Sequence, residues 1–106
     1  MSNRRKPGEL YVITKGRDLS SYIFTVTDKS PKKFRFTFVT RLQNLSLNVM
    51  ENLYRANMVY ISLPADVRKV ELRKKYQREA YVSLKVLTNM ALLAMEQKCI
   101  LPKQYE

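Results

Sequence analysis

Between residues 38 and 56 the apolar side chains Phe38, Leu42, Leu45, Val49, Leu53 and Ala56 recur in steps of three and four. That spacing draws one face of an α-helix and cannot draw a strand, whose side chains change face at every residue. A stripe this long commits the chain to a helix whose one side must be buried against other elements. Glycine and proline are scarce, two and four in 106 residues, so the chain has few places to turn. Ser30 as N-cap and Pro31 at the first helical position mark a start. The predicted helix runs over about 31–60 and is roughly 45 Å long.

The flanking segments read the same way. Over about 9–27, Val12, Leu19, Tyr22, Ile23 and Val26 keep helical spacing, although Gly16 inside the helix costs about 1 kcal/mol relative to alanine. Pro31 disfavours helical geometry at the residue before it and closes this helix. Asn57, Ser62 and Pro64 bracket a short connection, and Pro64 with Asp66 in the following turn opens a third helix over about 64–98. Its first half is basic. Its second half, from Ala80 to Met95, carries apolar residues on more than one side, with Leu84, Leu87, Ala91, Ala94 and Met95 on one flank and Leu92 and Leu93 on another. Two helices cannot cover all of these. Pro102 to Glu106 reads as the first turn of a fourth helix, and residues 1–8 as a frayed basic arm. The expected fold class is all-α, a single up-down antiparallel helical bundle of the four-helix type, with the fourth helix truncated after Glu106.

Charge narrows the function classes. Twenty Lys and Arg against nine Asp and Glu give a net charge of +11, and the self-repulsion this carries calls for a polyanionic partner. Nucleic acid fits first, because cations that displace counterions from phosphate gain affinity without any base-reading motif. Solubility alone is the plainer explanation of the charge. An anionic membrane fits less well, since the cations do not flank one short apolar helix face. No segment approaches membrane-spanning length, and Leu10 to Ile13 is too short for a signal peptide. With Cys99 as the single cysteine no internal disulfide can form, so a soluble, cytoplasmic protein is expected with Cys99 as a small buried apolar residue.

The chain has no histidine and no acidic run. This removes histidine-based acid–base catalysis, zinc sites and calcium loops, and the two glycines cannot form a phosphate-cradling loop. No catalytic residue, metal or cofactor is expected. The carboxylates are scattered and read as partners in solvated helix pairs, as Glu71 would be to Arg68 and Lys75. Two stripes remain as candidate binding surfaces. On the second helix Arg41, Asn44, Asn48, Glu51, Asn52 and Arg55 lie beside the apolar stripe, as a wet face, a subunit interface or a contact to RNA. On the third, Arg68, Lys75, Arg78 and Lys85 lie along one side with Lys74 next to them, as a solvated face or a phosphate-binding one. The tyrosines offer rings that stack on unpaired bases, but Tyr22, Tyr54, Tyr76 and Tyr81 fall on or near apolar stripes and are expected in the core.

The runs from Thr14 to Tyr22 (TKGRDLSSY), Ser30 to Thr37 (SPKKFRFT), Arg41 to Asn57 (RLQNLSLNVMENLYRAN) and Cys99 to Tyr105 (CILPKQY) resemble a bacterial four-helix-bundle family. It contains the accessory variability determinant (Avd) proteins of diversity-generating retroelements and the proteins encoded by intervening sequences of ribosomal RNA genes. The Avd branch is the more similar. The resemblance implies a basic homo-oligomer, a pentamer in the Avd case, that binds the retroelement reverse transcriptase and template RNA or cDNA during mutagenic cDNA synthesis. For the other branch it implies an oligomeric structural module with no direct role in reverse transcription.

Overall fold

In the computed structural model, which describes residues 7–101, three α-helices follow one another: α1 (Pro7–Thr27), α2 (Thr40–Met58) and α3 (Val67–Glu96). The all-α class holds, with no strand among the described residues. The expected fourth helix at 102–106 and the first six residues of the basic arm lie outside the described residues. Pro7 and Gly8, expected in that arm, instead open α1.

The start of the second helix differs from expectation. Ser30 does not cap it: its hydroxyl is buried without a partner, and Pro31 is extended, with ψ 145. A 3-10 turn (Lys32–Phe34) and a π-helical turn (Arg35–Val39) precede α2, and the Thr40 hydroxyl donates to the Arg35 carbonyl at 2.8 Å. The wide turn has a packing consequence. It turns Phe34, Phe38 and Val39 together toward the core that Leu42 enters next, whereas Phe36 is left on the surface. The helix ends at Met58, two residues early, where Val59 becomes extended.

The third helix begins at Val67 rather than Pro64, because Asp66 is its N-cap: the carboxylate accepts from the Arg68 N–H at 2.9 Å. This satisfies a backbone donor that has no partner inside the helix. The other end closes two residues early with a Schellman arrangement. Lys98 takes a left-handed conformation (φ 65), its N–H donates to Met95, and the Cys99 N–H donates to the Ala94 carbonyl at 2.8 Å. Such a reversal normally uses glycine. Here it folds Cys99 and Ile100 back under α3, where both are buried, as expected of Cys99.

α1 and α2 run antiparallel, Ser20 lying opposite Ser46 and Thr27 opposite Gln43. They approach closely. The buried Ser20 hydroxyl donates to the Ser46 carbonyl at 3.0 Å, and a Cβ added to Gly16 would sit 3.1 Å from Leu53 Cδ1 and 3.5 Å from Met50 Cα. Gly16, a cost to the isolated helix, thus sits at the α1–α2 contact, where a methyl group would push the end of the Leu53 side chain by a few tenths of an ångström.

The core is concentrated where α1 ends, α2 begins and α3 ends. It joins Ile23 and Val26, Leu42, Leu87 and Ala94, and Cys99 with Ile100. At the opposite end a groove of about 350 Å³ stays open between Gly8 and Val12 of α1, Ala56 of α2 and Arg73 with Gln77 of α3. The radius of gyration, 16.5 Å, exceeds the roughly 13 Å of a compact chain of this length. Coverage of α3 is accordingly incomplete, as the sequence led us to expect. Leu87 and Ala94 are buried, but Leu92 and Leu93 keep 50% and 44% of their surface.

Candidate nucleic-acid interface

Burial of Ala80, Leu87 and Ala94 fixes which side of α3 faces its neighbours. At 100° per residue the opposite side carries Lys74, Arg78 and Lys85 within about 40° of one another, and Lys75 and Arg68 follow on the adjoining flank. All five are exposed, as are Arg41 and Arg55 on α2. From Val67 to Lys85 the helix holds seven cations and two carboxylates, Glu71 and Glu79.

The carboxylates do little to neutralise this surface. Glu71 forms no ion pair with Arg68 or Lys75, contrary to expectation. Among the described residues the ion pairs of the predicted cations are Arg55 with Glu51 at 3.2 Å and Arg68 with the N-cap Asp66 at 3.9 Å. Arg68 is drawn to the acidic cap two residues back. For an exposed Lys75, holding one rotamer against Glu71 would cost more entropy than the pair returns in water. Arg41, Lys74, Lys75, Arg78 and Lys85 therefore present unpaired charge.

The polar stripe of α2 and the basic stripe of α3 adjoin. Asn48 and Asn52 face Arg78, Glu79, Val82 and Ser83 across a groove of about 570 Å³. Arg55 follows Asn52 on α2 by three residues. There the Glu51 carboxylate, by hydrogen bond and charge, and then Tyr76 of α3 raise the guanidinium pKa above its ordinary value, so Arg55 stays charged. Arg41 lies about 10 Å along α2 from Asn48, toward the core end. Asn52 donates to the Asn48 carbonyl at 3.0 Å, which orients its amide oxygen away from its own helix. The groove thus offers amides, a hydroxyl and a guanidinium to phosphate, sugar and base edges, with the Glu79 carboxylate on the same wall as an acceptor.

Ser83 and Val82 in this groove were not singled out from sequence, since neither belongs to a charged pattern. The tyrosines correct the expectation more sharply. Tyr76 is half-buried, but Tyr22, Tyr54 and Tyr81 are exposed, Tyr81 by 61%. Tyr81 follows Ala80 by one residue, which turns it about 100° away from the buried face. Its spacing from Lys74, Arg78 and Lys85 was the available signal.

No family model, curated protein or solved structure matches the chain. Among the described residues no helix is long and apolar enough to cross a membrane.

Proposed function

We propose that this chain is a non-enzymatic nucleic-acid-binding accessory protein that holds a phosphate backbone along the outer face of α3 and the adjoining polar edge of α2. The observation that carries this reading is the run of exposed, unpaired cations Lys74, Lys75, Arg78 and Lys85 on one side of one helix. Glu71 and Glu79 stand four residues either side of Lys75 yet form no ion pair with these cations, so the positive charge of the face is left open to phosphate. The sequence resemblance to Avd proteins supplies the setting: an oligomer, pentameric in the closest reading, that brings template RNA or cDNA to a retroelement reverse transcriptase. An up-down bundle with a fourth helix over α1 and α3 belongs to the same proposal, supported by the open groove between those helices. Binding is expected to be broad in sequence and to weaken steeply with salt, each phosphate contact contributing about 0.9 to the slope of log affinity against log salt on duplex DNA. A titration flat from low to high salt sinks the reading.

One observation favours the structural module as a second reading. Val82, Val86 and Leu93, within about 40° of one another around α3, remain exposed, and an apolar patch of this kind marks an association site. Light scattering across micromolar concentrations is expected to show self-association. A monomer that melts cooperatively would remove this support.

A further inference from the structure

Tyr81 stands in the middle of the basic stripe of α3. Arg78 precedes it by one turn, Lys85 follows by one turn, and Lys74 lies two turns back; all four project within about 60° of one another. The stripe from Lys74 to Lys85 is about 16 Å long. The ring is 61% exposed, and the Lys85 ammonium lies over it, 5.8 Å from the centroid. Arg78 joins this stripe to the groove of Asn48, Asn52 and Ser83, which Tyr81 itself does not line.

On duplex phosphates Tyr81 could use only its hydroxyl, because in a duplex the base faces are stacked on one another and closed to the ring. An unpaired strand offers those faces. Base–aromatic stacking tolerates any sequence and is strengthened by a cation next to the ring.

We propose that Tyr81 is a base-stacking residue and that the basic face of α3 takes single-stranded nucleic acid in preference to duplex. This rests on the nucleic-acid reading above and deepens it, by naming the form of the ligand. Lys74, Arg78 and Lys85 hold the backbone on either side while the ring carries one base.

Fluorescence anisotropy on an oligothymidylate, an oligouridylate and a DNA duplex of equal length, at one salt concentration, tests it. Both single strands are expected to bind more tightly than the duplex, and their difference tells whether RNA or DNA is favoured. Tyr81→Ala weakens single-strand binding by about tenfold, from the stacking contribution per base, and leaves duplex binding unchanged. Tyr81→Phe keeps the wild-type affinity, since the ring and not the hydroxyl stacks. Because the chain has no tryptophan, Tyr81→Trp supplies a single reporter, whose emission single strands quench and duplex does not. Salt-dependent binding that Tyr81→Ala leaves untouched, or weakens equally for both forms, overturns the stacking role while the nucleic-acid reading stands. Absence of binding to all three probes overturns both.

Discussion

Replacing Lys74, Arg78 and Lys85 together by alanine is expected to lower affinity for nucleic acid by on the order of a hundredfold near 0.1 M salt. The size follows from counterion release. If three phosphate contacts are lost, the salt slope on duplex DNA becomes shallower by about 2.7, and lines that meet near 1 M salt separate by two to three decades at 0.1 M. Circular dichroism should be unchanged, since the three side chains are exposed and alanine is the best helix former. The control is Lys29, Lys32 and Lys33 changed to alanine. That variant loses the same charge at the end where α1 gives way to α2, away from the α3 stripe. If the two triple variants lose affinity equally, only net charge matters, and the α3 face has no special role.

Leu42→Ala is expected to cost about 2–5 kcal/mol of stability, a large share of the roughly 5–15 kcal/mol of a domain this size. Leu42 is fully buried, with 0% exposure, in the cluster that joins all three helices. Its truncation leaves a cavity where α1, α2 and α3 meet, and among the described residues no second buried cluster of this kind is there to compensate. Thermal or urea unfolding checks this against Leu92→Ala, which removes the same atoms from a half-exposed position and should change stability by no more than about 0.5 kcal/mol. Equal losses in the two variants would mean that the buried cluster is not what holds the helices together.

The apolar stripe of α2 was legible in sequence because periodicity is a local property. Leu42, Val49 and Ala56 are all buried, as a face at helical spacing requires. The existence of α1 and α3 and the outward placement of the seven candidate cations were legible for the same reason. Helix ends were less so. Sequence rules proposed Ser30 with Pro31, and Pro64, as starts, but the backbone widened into a π turn at one site and capped with Asp66 at the other. In the first case packing of Phe34, Phe38 and Val39 decided the matter, and no local propensity contains it.

The sequence by itself determined that this chain is helical, strongly basic, without histidine, and too apolar along α3 for two helices to cover. Each of these follows from residue identity or from spacing within one segment. Tertiary structure alone decided that Gly16 is a contact point rather than a flaw, that Lys98 turns the chain so that Cys99 and Ile100 enter the core, and that Asn48 and Asn52 face Arg78 across one groove. It also turned Tyr81 out into the basic stripe. These depend on how far apart two helices lie and at what rotation, which is set by side chains distant in sequence packing against one another.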